Sequence, residues 1–382
     1  MPALKNVSFS RLRETAMLNK GCSKEELFSF FSQKKSEDID HNYILSSMCT
    51  IPHPVAVRAH CMFMETNLGD PGLFPGTASL EKLLIQRLGS LFHRKGAGGY
   101  ATSGGTESNI QALRLAKVLK NEVVCPNIVV PESAHFSFRK ASDLLCLEMR
   151  TVPLDGNFRM DAQKAAEQID RNTICLVGIA GTTEYGMVDP IADLAKIADS
   201  HDVFFHVDAA FGGMVIPFLK HPVPFDFALP GVTTIAVDPH KMGLSTIPAG
   251  CLLTREPDIL NTLNIDTPYL SVKQEYTLGG TRPGAPVVGA LAVLDYLGVE
   301  GMKAIVSGCM KNTRRLIAGM ETFGIPRAAT PDVNVATFAC RNVPEPWKVS
   351  WTRQGHLRIV CMPHVHGDRI EAFLQDTGEL YA

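Results

Sequence analysis

The sequence predicts an α/β fold: a largely parallel sheet flanked by helices, followed by a smaller α+β C-terminal domain. Two observations carry the prediction. Short apolar runs at 127–130, 174–180, 203–207, 233–237 and 249–253 recur with helical stretches between most of them. Strands alternating with helices specify crossover units and a sheet covered on both faces. Asp208 closes the third run and Lys241 follows the fourth, which puts an acid and an amine beyond the carboxyl ends of strands, where such folds bind ligands.

The elements follow in order. The first forty residues are polar with a helical stretch at Ser23 to Phe28, and they read as an N-terminal arm over 1–45. Met1 to Lys5 lead into Arg11, Arg13 and Glu14 with no continuous apolar core, so no secretory signal is expected. An amphipathic helix is expected over 80–92, a loop over 96–105 and a helix over 107–119. After the alternating segment, Arg282-Pro283-Gly284 introduces helical stretches at 287–297 and 302–323, then extended pieces at 333–338 and 356–360. The expected division is a large domain over 46–285 and a small C-terminal domain over 286–382.

Composition narrows the function. A chain of 382 residues, 45% hydrophobic and 20% charged, is ordinary for a globular protein with a large core. A formal charge of -2 supplies no basic field, so neither nucleic acid nor an anionic membrane is an expected partner. No apolar run approaches the ~20 residues of a membrane span. Ten cysteines between Cys22 and Cys361 contain no CxxC pair, which fits reduced thiols in the cytoplasm better than a disulfide framework or a zinc site. No metal is expected, and a small-molecule site is the default.

The chemistry rests first on Asp208 and Lys241. A lysine amine forms a Schiff base with the aldehyde of pyridoxal phosphate, and an acid holds the pyridine nitrogen protonated so that the ring accepts electrons. Asp208 lies in a run too apolar to leave a carboxylate unpartnered; a structural salt bridge is the alternative. Lys241 is expected to have a lowered pKa in a desolvated, cation-rich pocket, and His240 beside it to touch phosphate or substrate. Ser103-Gly104-Gly105-Thr106-Glu107-Ser108-Asn109 is a glycine-rich turn entering a helix, a natural phosphate site, although it is also a good helix cap. His135 is placed to stack on a flat ring, against the alternative of a half-buried histidine satisfied by hydrogen bonds. Gly178 to Thr183 ends a buried strand with small residues and two hydroxyls, which fits either a ligand contact or a tight turn.

These motifs together carry a resemblance. SGGTESN (103–109), HFSF (135–138), GIAGTT (178–183), HVDAAFGG (206–213) and DPHKMG (238–243), in this order, resemble the fold-type I pyridoxal phosphate group II decarboxylases. ETNLGDPGLFPGT (65–77), IDTPYL (265–270) and LRIVCMPHV (357–365) are most similar to the archaeal tyrosine/aspartate decarboxylases associated with methanofuran and coenzyme A synthesis. The resemblance spans residues 42 to 366. It implies a PLP-dependent transferase-like fold with a mostly parallel seven-stranded sheet and a homodimer with active sites at the interface. It further implies Lys241 as the Schiff-base lysine, Asp208 as the pyridinium partner and His135 as the stacking residue. Gly105 and Thr106 would bind phosphate with His240 nearby, Thr182 would lie under the ring, and Ala210 would touch the cofactor. Thr281, in the loop 279–282, would contribute across the interface; Arg358 would hold a substrate carboxylate, and Tyr269 would deliver a proton from a mobile loop. Asp238 stands where many group II decarboxylases have asparagine, a position where a carboxylate is unfavourable near phosphate unless it points away. An extension also precedes the family core, and the C-terminal domain is short between Val333 and His356.

The reading is a pyridoxal 5'-phosphate-dependent decarboxylase that takes L-tyrosine to tyramine, L-aspartate to beta-alanine, or both, and releases carbon dioxide. Phe74 and Phe136 are candidates for an aromatic substrate pocket, Arg58 and Arg282 for a second cation. The alternatives are another fold-type I enzyme, whether aldehyde-lyase, aminotransferase or desulfurase, and a non-catalytic relative that binds cofactor or a partner protein.

Overall fold

The computed structural model describes Met17, residues 20–340 and residues 342–381. Met1 to Lys5, Arg11, Arg13 and Glu14, on which the signal reading rests, lie outside the described residues. Contacts divide the chain into two units, Met1–Ile44 and Leu45–Ala382. In the smaller unit, α1 (Lys24–Lys35) starts at a capping box: the Ser23 side chain accepts from the Glu26 N–H, and the Glu26 carboxylate accepts from the Ser23 N–H. Acids in its first turn and lysines in its last oppose the helix dipole.

In the larger unit, α2 (Pro54–Met62) and α3 (Pro75–Leu91) precede a seven-stranded sheet. Its strands are β1 (Gly98–Thr102), β2 (Asn127–Pro131), β3 (Glu148–Val152), β4 (Thr173–Ile179), β5 (Phe204–Asp208), β6 (Thr234–Val237) and β7 (Gly250–Thr254), in the spatial order β1-β7-β6-β5-β4-β2-β3. The five strands from β2 to β6 pair in parallel, and β7 runs antiparallel to both β6 and β1. Between strands run α4 (Gly105–Leu119), α5 (Ser137–Leu145), α6 (Ala162–Gln168) and α7 (Ile191–Ser200). Side chains alternate across the sheet, so Val129, Leu176, Val207 and Ile235 join one core cluster while Ile128, Val130, Val177 and Ile179 join a second. That double coverage is why β2 and β4 to β7 read as continuous apolar runs.

Two strands depart from the sequence expectation. The segment expected as a loop over 96–105 contains β1, because its glycines serve close approach: a Cβ at Gly99 would stand 2.2 Å from the Leu252 carbonyl oxygen. β3 was not expected at all. It is an edge strand of sequence Glu-Met-Arg-Thr-Val in which only Val152 is buried, so it offers no apolar run to read.

A hairpin of β8 (Ile265–Asp266) and β9 (Gln274–Glu275) follows. The two helices expected at 287–297 and 302–323 are both present within Gly284–Thr322 (α8), separated by a kink at Gly298, whose φ of 58° and ψ of -169° are non-helical. Residue 285, the expected domain boundary, falls within its first turn, and the contact-based units are not divided there. By length and composition alone α8 is apolar enough to cross a membrane, but Asp295, Glu300 and Lys303 interrupt it, so it holds no apolar run of that length. Its apolarity is used inside the fold, where it packs against α2, α3 and α9 (Gly367–Tyr381). A three-stranded antiparallel sheet completes the chain, with β12 (Leu357–Val360) between β10 (Val335–Phe338) and β11 (Ser350–Trp351).

Candidate active site

The strand ends bring the predicted residues together. Asp208 is the last residue of β5, Asp238 directly follows β6, Lys241 lies in the turn after it, and Gly105 opens α4. Gly105, Thr106, His135, Asp208, Ala210, His240 and Lys241 line one cavity of about 340 Å³. A larger groove of about 720 Å³, bordered by α3, α8 and residues 217–228, contains none of them.

The charges around Lys241 correct the sequence expectation. Its Nζ lies 3.0 Å from Asp238 Oδ2, and Asp238 is buried to 2% exposure. Burial alone would push the amine pKa down, but Asp238 and Asp208 outweigh it and raise the pKa above its ordinary value. The pocket is anion-rich rather than cation-rich, so it holds Lys241 as an ammonium. Asp238 therefore does not point away: Oδ2 faces Lys241, and Oδ1 is buried with no hydrogen-bond partner among the described residues. His240 Nδ1 donates to the Ala249 carbonyl at 2.6 Å, leaving Nε2 3.9 Å from Asp238 Oδ2.

Behind the cavity wall lies a hydrogen-bond chain that the sequence reading did not assign. His206 Nε2 is 2.9 Å from Asn109 Oδ1 and His206 Nδ1 is 2.8 Å from Thr234 Oγ1. An amide oxygen only accepts, so Nε2 carries the proton and Nδ1 accepts from the Thr234 hydroxyl. Burial pushes the His206 pKa down to about 4, so the ring is neutral. The Asn109 amide nitrogen donates to Asp208 Oδ2 at 2.9 Å and to Ser137 Oγ at 3.0 Å. Ser137 then turns its own proton to His135 Nδ1 at 3.0 Å, and its backbone N–H reaches the same nitrogen at 3.3 Å. His135 is thus fixed with its proton on Nε2, and burial, the largest influence, lowers its pKa. The Ala210 N–H donates to Asp208 Oδ1 at 3.0 Å. Asp208 is held by N–H donors, and among the described residues it forms no direct ion pair.

These residues fit pyridoxal phosphate. The N-cap of α4 is Gly104, which has no side-chain oxygen to offer the first-turn amides. First-turn amides of a helix lack intrahelical acceptors and suit an anion. A Cβ at Gly105 would stand 3.0 Å from Ala210 Cβ and 3.2 Å from Asp238 Oδ2, so a side chain there would crowd that entrance. The first-turn acid Glu107 is turned back, accepting from the Ser103 N–H at 2.8 Å and the Tyr100 hydroxyl at 3.2 Å. A buried amine, a carboxylate without a direct ion pair and an uncapped helix start then surround one cavity.

Other expected residues stand elsewhere. Thr182 is fully buried and its hydroxyl accepts from the Met187 N–H at 3.0 Å; Gly181 and Thr183 line the cavity instead. Tyr269 is 85% exposed on the β8–β9 hairpin, Thr281 is exposed, and Phe74 stands half-buried before α3. None of the three is in the cavity lining of this single chain. Phe136 is exposed at the cavity, its ring 3.9 Å from that of His135. Arg282 is not free to bind a substrate carboxylate, because its guanidinium pairs with Glu81 at 2.6 Å and donates to the Ala101 and Leu68 carbonyls. Arg58 is exposed. Arg358 is buried: Nε donates to the Thr183 carbonyl, Nη1 to Ser46 O and Ser350 Oγ, and Nη2 has no partner among the described residues.

Comparison with known proteins follows the same line. The family model described as the pyridoxal-dependent decarboxylase conserved domain matches residues 57–325. A protein of Methanoregula boonei named "Probable L-tyrosine/L-aspartate decarboxylase" is 78% identical over 366 residues, covering 96% of this chain and 100% of that one. A protein of the same name from Methanosphaerula palustris is 69% identical, covering 95% and 100%. Among solved structures, Lactobacillus brevis glutamate decarboxylase shares the fold at a TM-score of 0.89 and 20% identity, covering 98% of this chain and 96% of that one. The Burkholderia pseudomallei sphingosine-1-phosphate lyase shares it at 0.87 and 24%, covering 95% and 92%. The chain belongs to the pyridoxal-dependent decarboxylases and is an amino-acid decarboxylase whose cofactor is pyridoxal 5'-phosphate.

Proposed function

We propose that the substrate is L-tyrosine, L-aspartate or both, released as the corresponding amine with loss of carbon dioxide. The names of relatives up to 78% identical over nearly the whole chain support it. The observation that carries the site assignment is the meeting of Lys241, Asp208 and His135 at one cavity beyond the strand ends.

Bound pyridoxal phosphate supplies an electron-accepting ring and an aldehyde. Lys241 is the amine that would link to that aldehyde, yield to the substrate amine and return to release the product. Asp208, held by Asn109 and Ala210, would keep the proton on the ring nitrogen. His135, neutral and fixed by Ser137, would pack on the ring face, and the α4 amides at Gly105 and Thr106 would take the phosphate. Arg358, buried and outside the cavity lining of this single chain, would bind a substrate carboxylate only once the site opens toward its Nη2. Tyr269 would close over the site and protonate the carbon that lost its carboxylate, a role suited to a loop residue that excludes water on closure.

The same reading makes the enzyme a homodimer whose partner loop brings Thr281 to the site. It takes residues 46–285 as the cofactor-binding domain and 286–382 as the smaller one. Ten free thiols support a cytoplasmic location. Incubation of holoenzyme with L-tyrosine, L-aspartate and L-glutamate separately, reading carbon dioxide and amine, tests the substrate. Release from tyrosine or aspartate is expected; release from glutamate alone overturns the proposal.

A further inference from the structure

We infer that Asn109 is a positioning residue that sets two cofactor contacts at once, the Asp208 carboxylate and the His135 ring. The inference rests on the active-site reading above and goes beyond it. Asn109 is buried to 1% exposure, and all three polar directions of its amide that the structure resolves are used: Oδ1 toward His206, Nδ2 toward Asp208 and toward Ser137. An amide cannot be turned over in such a setting without placing two donors or two acceptors face to face.

Direction therefore propagates from the sheet interior. Thr234 donates to His206, His206 donates to Asn109, and Asn109 donates to both branches. On the first branch Asp208 receives a charge-assisted bond that fixes its orientation. On the second, the Asn109 N–H orients the Ser137 hydroxyl toward His135 Nδ1, and the Ser137 backbone N–H, which can only donate to that nitrogen, fixes the His135 tautomer with it. Geometry explains why these residues meet. His206 and Asp208 are two apart on β5 and share a face, while Asn109 lies one turn after Gly105 on α4. One amide thus couples the group that faces the ring edge to the group that faces the ring plane.

The test uses holoenzyme of wild type, Asn109→Ala and Ser137→Ala, each first checked for folding by circular dichroism. Borohydride reduction and peptide mapping of wild type establish that the cofactor sits on Lys241. A wild-type protein with no cofactor there overturns the active-site reading itself, before either variant is compared. The readouts are the cofactor Kd and the pH midpoint of the bound cofactor's visible absorbance. Asn109→Ala is expected to raise Kd roughly 10- to 100-fold, the range for a lost bond to a charged group, and to move the midpoint by about one unit. Ser137→Ala, which cuts only the His135 branch, is expected to raise Kd about fivefold and leave the midpoint in place. A merely structural amide would lower thermal stability while both readouts stay within about twofold, and that result overturns the inference. If Asn109→Ala does not fold, Ser137→Ala decides: a Kd equal to that of wild type overturns the coupling.

Discussion

Lys241 Nζ and Asp238 Oδ2 stand 3.0 Å apart in a setting where Asp238 is almost wholly buried and its other oxygen is unpartnered. The pair keeps the amine charged, and a charged amine is no nucleophile. Attachment of the cofactor must therefore compete with Asp238 for Lys241. Asp238→Asn removes the nearer carboxylate and should lower the Lys241 pKa. The pH dependence of cofactor uptake, followed by visible absorbance, should shift to lower pH; an unshifted curve would mean that Asp238 does not govern the amine.

Asp208 carries the ring charge in this account. Asp208→Asn leaves a neutral group that cannot stabilise a protonated ring nitrogen, and turnover per bound cofactor should fall roughly 100-fold or more, the scale of losing one preorganised electrostatic partner. Carbon dioxide release normalised to reduced, Lys241-linked cofactor measures it. Retained turnover would remove Asp208 from that role.

His206 imposes an acid limit on stability. Its folded pKa lies at about 4, below the ordinary 6.5, because burial disfavours the imidazolium. Between those values the unfolded chain binds a proton that the native chain does not, so stability rises with pH across the window. The contribution is complete above pH 6.5 and is lost as pH falls toward 4, a change on the order of 3 kcal/mol. Urea titrations at pH 4.5 and 7 should differ accordingly, and a His206→Gln variant should show a smaller difference.

Arg358 separates substrate binding from cofactor binding. Burial lowers its pKa to about 10, with Glu184 opposing, so it stays charged at neutral pH. Arg358→Gln should reduce kcat/KM roughly 10- to 100-fold, as expected for a lost bond to a carboxylate, with the cofactor Kd unchanged. A stability loss without a change in kcat/KM would assign Arg358 to holding Thr183 and Ser46 alone.

The large sheet and its ligand end were readable because buried parallel strands leave unbroken apolar runs, and Asp208 and Lys241 interrupt the chemistry at their ends. β1 and β3 were not, since glycine at a close contact resembles a loop and an edge strand carries polar residues. The chain through Asn109 and His206 joins residues 97 apart, a pairing that no local pattern encodes. Its one available signal was that His206 shares a strand face with Asp208. The charge of the Lys241 pocket was misread for the same reason: Asp238 was visible, but its direction is decided by the turn that returns Lys241 to the Asp238 carbonyl at 3.0 Å.

The central claim is that Lys241 carries the cofactor. Borohydride reduction of the holoenzyme followed by peptide mass spectrometry tests it most directly. The account predicts loss of the visible band and a pyridoxyl adduct on the peptide containing Lys241; an adduct confined to another lysine, or none, would contradict it.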